Sequence, residues 1–450
     1  MHDYANHRPH HLSGCAKVRL IALIVYGFLC GAIPVATRFV EAAGTPVPAV
    51  TGVIFRSDFE CGNGTNFVQT GPTQFDFELE PDTNSTDRQW FYFEVSGANG
   101  TSLQLRLLNT NLTNVPGHWS GFIPVSSTDN GQSWQRVTGP STHANNIFTF
   151  THTFTADNEL IAVHNPYTET YLKNRISEWI LHPDVTHSIL TESLQGRDID
   201  FLRITDATTT PSGGKRGFWI VARQHAAEVT GSWLVEGLID FVLSSDPRAI
   251  ALRQGSVFNI VPMMNPDGVV VGNYRDNSAG VNLNREWNSA SATESPSVLA
   301  AIEAIDQWVA DGHSFDWFGD IHSTSGNFPH FGFHAASSVL PPLYDAPPNY
   351  HADSVAFLNL LESYDPDFDP TQGASTSTDT RLAREFETFR HGVLAFTFEA
   401  GVKKVLHGPD ANEYMTPERH RAIGRGLALA LREYFEIPVP QSLVTLWMLY

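Results

Sequence analysis

From about residue 166 onward, nearly continuous apolar runs alternate with longer segments of helical period, and this alternation limits the chain to few folds. FWIVARQ at 218–224 carries no polar group until its last two residues, the composition of a strand covered on both faces. The segment behind it sets Trp233, Leu234, Leu238, Ile239 and Val242 on one helical face. VFNIVPMMN at 257–265, FDWFGDIH at 315–322 and GVLAFTFEAG at 392–401 read as further strands, with helices over 295–310 and 417–435. Strands joined through helices predict an α/β domain over 166–436, a mixed but mainly parallel sheet flanked by helices.

The stretch before it has another texture. Within 53–163, FDFEL at 75–79, WFYFEVSG from Trp90, SLQLRLLN from Ser102 and NIFTFTHTF from Asn146 alternate apolar with polar residues between Gly, Asn, Asp and Pro. Period two in aromatic and β-branched residues predicts a small antiparallel β-sandwich over 44–165. Residues 437–450 remain as an apolar tail.

Ahead of both, Lys17 and Arg19 precede an apolar run at 20–36, with Ala42, Ala43 and Gly44 after it. A basic start, an apolar middle and small residues behind it are the layout of a secretory signal peptide, here 1–43. The run also reaches the lower limit for a spanning helix, so the alternative is a membrane anchor through 20–36. Either way the chain is expected to be exported, periplasmic or extracellular, and to touch a membrane only if the segment is retained. Cleavage would leave Cys61 alone of Cys15, Cys30 and Cys61, so stability should come from core packing and metal rather than disulfides. The 48 acidic residues against 28 basic give a formal net charge of −20, which would repel a phosphate backbone and argues against nucleic acid as a partner.

Four polar clusters fall at strand ends, where an α/β sheet opens its crevice. RQHAAEVTGSW places His225 and Glu228 at i and i+3, a spacing at which one imidazole nitrogen and one carboxylate can meet a single Zn²⁺. His322 ends the strand of GDIHSTSG after Asp320 and would supply a third ligand, leaving a fourth position open; on spacing alone His313, His330 and His334 compete with it. MNPDGVVVGNYRDNSAGVNLNREW has turn chemistry at 265–268, then Arg275 and Arg285, with Asn284 beside the second. A guanidinium fork suits a carboxylate or an oxyanion. Glu399 ends FTFEAG behind Phe396, Thr397 and Phe398, so burial should raise its pKa toward the range of a general base. Taken singly, each cluster has a plainer reading: a structural histidine, solvated arginines, an ordinary strand-end carboxylate.

Together and in this order, the clusters resemble the M14 zinc carboxypeptidases, with the carboxypeptidase A-like fold. Within them the chain is most similar to the cytosolic carboxypeptidase subgroup, whose members carry a β-sandwich ahead of the catalytic domain and the NPDG, GN-x-R and LNR-W sequence found here at 265–287. RSDFECGNG at 56–64, QWFYFEV at 89–95 and HNPYTETYL at 164–172 extend the resemblance, which covers about 53–435. It implies one zinc per chain on His225, Glu228 and His322, and Glu399 as the base that activates the attacking water. It further implies that Arg275 polarises the scissile carbonyl and that Asn284 and Arg285 grip the terminal carboxylate of a peptide or protein.

Two departures qualify the transfer. The position before the ligand glutamate is Ala227 rather than arginine, as in the cytosolic subgroup, and no tyrosine lies between Tyr364 and Glu399 to serve as the mobile tyrosine of many relatives. STSTDTRLAREF, with Arg381 and Arg384, occupies the region of the specificity pocket, and a basic pocket there would favour an acidic C-terminal residue. The rival readings are an aspartoacylase-like deacylase of acylated amino acids, against which the β-domain argues, and an inactive peptide-binding relative, against which the complete set of metal and catalytic positions argues. His-Glu-x-x-His and Gly-x-Ser-x-Gly are absent.

Overall fold

The computed structural model describes residues 49–324, 330–339, 349–365, 368–370, 373–402 and 414–440. Residues 1–43, expected to be a leader or an anchor, and residues 441–450 of the tail lie outside them. No helix among the described residues is long and apolar enough to cross a membrane.

The short alternating runs fold as two five-stranded sheets. One runs Ile54–Arg56, Tyr92–Ser96, Asn158–Ala162, Val125–Ser127, Gln135–Arg136; the other Thr65–Gln69, Gln74–Glu78, Ser102–Leu107, Ile147–Thr153, Ser141–Ala144. Alternation decides which side faces in: Leu103, Leu105 and Leu107 are buried while Ser102 is exposed, and Phe148 and Phe150 do the same on the neighbouring strand. All named pairs are antiparallel except Gln74–Glu78 with Ser102–Leu107, which run parallel.

The nine-stranded sheet behind it is mixed. Its order begins Val185–Glu192, Asp198–Ile204, Ser256–Val261, Arg216–Ala222, Trp317–Ser323, Leu394–Ala400 and His330–Ala335, with Phe368–Asp369 and Ala374–Ser375 on the last strand. The centre, from Ser256–Val261 to Leu394–Ala400, is parallel, and its strands are buried over most of their length. The flanks attach antiparallel.

One face carries the helices Val229–Leu243 and Pro417–Tyr434, and its core is continuous with that of the sandwich. The other is covered by Pro296–Ala310 over Trp219, Val221 and Phe318. The two helices on the first face touch backbone to backbone. A Cβ on Gly424 would stand 1.9 Å from the Leu234 carbonyl oxygen, so only glycine permits this approach. Packing this close fixes the helix that follows the metal-ligand loop.

Candidate active site

The loop that leaves Arg216–Ala222 is held by its first residue. Arg223 takes a left-handed φ of 58°, and its buried guanidinium donates to the Ala226 carbonyl at 2.7 Å, the Tyr167 carbonyl at 3.0 Å and Ser232 Oγ at 2.9 Å. A non-glycine residue in that region costs on the order of 1 kcal/mol, which the three bonds offset. The turn delivers His225 and Glu228 to the mouth of the sheet. His322 reaches the same place from Trp317–Ser323, in register with Glu399 on the adjacent parallel strand. Since side chains two apart share a face, Asp320 stands with His322 and Thr397 with Glu399.

Both imidazoles turn Nδ1 to the Glu228 carboxylate, His225 at 2.8 Å from Oε1 and His322 at 2.7 Å from Oε2. One ligand atom from each residue lies within 4.8 Å of the others. The outer nitrogens are also committed, His225 Nε2 at 3.0 Å from Asn282 Oδ1 and His322 Nε2 at 2.8 Å from Asp320 Oδ1. Asn282 Oδ1 and Asp320 Oδ1 can each hold the outer N–H of its imidazole once a metal takes the place of the proton between Nδ1 and Glu228, leaving Nδ1 as the lone-pair donor a metal requires. Two buried imidazoles and a carboxylate converging with second acceptors behind them fit a tetrahedral zinc with one open position.

The ionisation of these groups follows from the same crowding. Burial pushes His225 down to about 4, with Arg275 adding to the effect. For His322 burial acts against charge, but Asp320 and Glu228 together hold it well above the ordinary histidine range. Burial alone would raise Glu228, and the two imidazoles instead pull it well below the usual carboxylate range. Glu399 is pushed up to about 8, by burial first and then by the negative charge of Glu228, against the pull of His322 and Arg275. A dication between the ligands would draw it back down.

A family model for zinc carboxypeptidases matches residues 177–404, and one for the cytosolic carboxypeptidase N-terminal domain matches 55–164. The chain belongs to the zinc carboxypeptidase family. A crystal structure of a metallo-carboxypeptidase from Burkholderia cenocepacia is similar over 86% of this chain and 99% of that one, at 30% identity and a TM-score of 0.77. A metallo-carboxypeptidase from Pseudomonas aeruginosa, solved with (2-guanidinoethylmercapto)succinic acid, is similar over 85% and 99%, at 27% identity and a TM-score of 0.76. Cytosolic carboxypeptidase 2 of Danio rerio is 33% identical over 57% of this chain, which spans only 39% of that protein. This zinc carboxypeptidase therefore has the mixed α/β carboxypeptidase fold behind a β-sandwich, and His225, Glu228 and His322 form its site for one zinc.

A cleft of about 250 Å³ in the carboxypeptidase is lined by the three ligands with Arg275, Arg285, Glu399, Phe333, Arg384 and Glu385. Asn284 borders it as well, with its amide committed beneath the ligands: Oδ1 accepts from the Ala383 N–H at 2.9 Å, and Nδ2 lies 2.9 Å from His322 Nε2 and 3.1 Å from Asp320 Oδ2. Arg285 donates from one guanidinium nitrogen to the Asn284 carbonyl at 2.6 Å, and burial together with the charge of Arg275 lowers its basicity. The structure separates the two arginines of 375–386. Arg384 is buried in the cleft wall beside Glu385, whereas Arg381 is exposed, forked onto Asp379 at 2.9 and 2.7 Å, and is not among the lining residues.

The competing histidines fall elsewhere. His313 stacks on Trp308, His334 Nδ1 meets the Ala335 carbonyl, and His330 accepts from the Gly401 N–H at 2.8 Å. With His420 Nε2 at 2.9 Å from the Gly401 carbonyl, His330 pins the end of the strand that carries Glu399. Among the described lining residues none is a tyrosine. Sequence reasoning passed over Asn282, Asp320 and Gln224, whose Nε2 lies 2.6 Å from Asp320 Oδ1. For Asp320 the signal was present, since a carboxylate two residues before a strand histidine must share its face.

Proposed function

We propose that this carboxypeptidase is an exopeptidase that removes single C-terminal residues from peptides, with Glu399 as its base. The observation that carries the reading is one cleft in which the zinc ligands, a carboxylate with a raised pKa and two arginines face each other. When bound, zinc supplies Lewis acidity to the scissile carbonyl and acidifies a water beside it. Glu399 takes the proton of that water and returns it to the leaving amine. Arg275 presents its guanidinium to the oxyanion, and Arg285 holds the terminal carboxylate. Asn284, with its amide bonded inward, contributes by fixing Asp320 and the start of the Ala383–His391 helix.

An acidic C-terminal residue is the preferred one in this reading. Arg384 lies in the cleft wall 4% exposed, with no hydrogen-bond partner for Nε among the described residues, and an incoming carboxylate would complete it. Glu385 already pairs with Arg384, so the preference should be modest rather than absolute. The basic and apolar composition of residues 17–36 supports action outside the cytosol.

Peptides that differ only in their last residue, offered with and without a chelator, test the reading. Release should need zinc, be fastest for glutamate or aspartate, and fall by roughly 10²- to 10⁴-fold in Glu399→Gln. Undiminished turnover in that variant would refute the role of Glu399, and equal rates for acidic and neutral residues would refute the preference.

A further inference from the structure

The loop that carries Arg275 has no strand or helix of its own between Val271 and the single turn at Leu283–Arg285. A guanidinium that must meet an oxyanion needs a fixed base, and here much of that base comes from the β-sandwich. Asp82 is 2% exposed and accepts from three successive peptide groups, Tyr274 N at 2.5 Å, Arg275 N at 2.7 Å and Asp276 N at 2.8 Å. Next to it, Asn273 Oδ1 accepts from Thr83 N at 3.1 Å, and Asn63 Nδ2 donates to the Gly272 carbonyl at 2.9 Å. Gly272, at φ +76°, has no room for a side chain, since a Cβ would stand 2.2 Å from the Gly62 carbonyl oxygen.

The other side of the same peptides faces the metal loop. Ala227 N donates to the Tyr274 carbonyl at 2.9 Å and Ala226 N to the Arg275 carbonyl at 3.4 Å. Arg275 is thus clamped between a carboxylate of the sandwich and the backbone between the ligands His225 and Glu228. Burial pushes the Asp82 carboxyl up to about 7 against the pull of the three N–H groups, and where it is ionised the three bonds are charge-assisted. Among the described residues the ion-pair partner of the Arg275 side chain is Asp87 Oδ2 at the long distance of 4.0 Å, so the aim of that side chain depends on the backbone beneath it.

We infer that Asp82 is a positioning residue for Arg275, and that the β-sandwich thereby completes the catalytic cleft rather than only covering it. This rests on the role proposed above for Arg275. A displacement of the guanidinium by an ångström weakens transition-state contacts more than ground-state binding.

The test uses the full zinc-loaded chain with Asp82→Asn, Arg275→Ala and both together, on a peptide that the unaltered protein cleaves. Asp82→Asn should keep its zinc and its KM while kcat falls roughly 10- to 100-fold. In the Arg275→Ala background the same change should alter kcat by less than about twofold, since it acts through the arginine. An unchanged kcat in Asp82→Asn beside an impaired Arg275→Ala, or an equal loss in both backgrounds, overturns the inference and leaves the site reading standing. Full activity in Arg275→Ala overturns both. Should Asp82→Asn not fold, Asn273→Ala loosens the same loop from Thr83 and is expected to lower kcat with zinc retained; an unchanged kcat there counts against the inference in the same way.

Discussion

Asp320 shows how much of the metal site lies behind its ligands. The side chain is fully buried, and its oxygens meet His322 Nε2 at 2.8 Å, Gln224 Nε2 at 2.6 Å and Asn284 Nδ2 at 3.1 Å. Losing the acceptor on His322 frees the ring to rotate and weakens its lone pair. Asp320→Asn is therefore expected to bind zinc about 10- to 100-fold more weakly, measured by competition with a chromophoric chelator. Unaltered affinity would show that His322 needs no such support. His225, Glu228 and His322 were legible in the sequence because strand ends in an α/β sheet converge and because the resemblance to the zinc carboxypeptidases chose among the histidines that spacing left open. The aim of a side chain was not. Arg381 and Arg384 belong to one short motif, yet Arg381 precedes the helix Ala383–His391 and turns to Asp379, while Arg384 lies inside its first turn and faces the cleft. Where the helix begins decides between them, and no capping residue marked that point.

At the scale of elements, the same helix carries a second buried carboxyl. Glu387 is fully buried with no hydrogen-bond partner on either oxygen among the described residues, and burial first, then the charge of Asp306, pushes it up to about 8 against the pull of Arg390. His391 Nε2 is the other titratable group facing it, 3.6 Å from Oε2, and both His391 and Arg390 also engage Asp306. In the unfolded chain this carboxyl ionises near 4.5, so between there and about 8 the folded protein holds a proton that the unfolded chain has lost. Stability from this group is complete below that window and disappears as pH rises through it. Glu387→Gln should leave Tm little changed near the lower end and raise it by several degrees at the upper end; a pH-independent difference would contradict the assignment. Strong periodicity made the central strands and the last helix readable. Glu169–Trp179, Pro247–Gly255 and Tyr350–Tyr364 were not read as helices, and 265–268, read as a turn, opens the short helix Pro266–Val271 under an Asn265 cap. Glu169–Trp179 and Pro247–Gly255 are short, and Tyr350–Tyr364 carries only a weak one-sided apolar pattern, so tertiary contacts rather than local pattern hold them.

Across the whole molecule, sandwich and α/β domain share a core, and the loops 61–64 and 82–87 of the first reach the Arg275 loop of the second. The alternation of each half was enough to predict both architectures. Their mutual dependence was not legible, since a contact between residues 82 and 275 leaves no periodic trace in a single sequence. The joint architecture shapes a cleft in which Arg275, Arg285 and Arg384 stand beside the metal ligands, positive charge suited to the terminal carboxylate of a peptide. The most direct test is mass spectrometry of one peptide offered to the zinc-loaded protein with a free and with an amidated C-terminus. The account predicts stepwise loss of single C-terminal residues from the free peptide and almost none from the amidated one. Internal cleavage, or equal trimming of both, would contradict it.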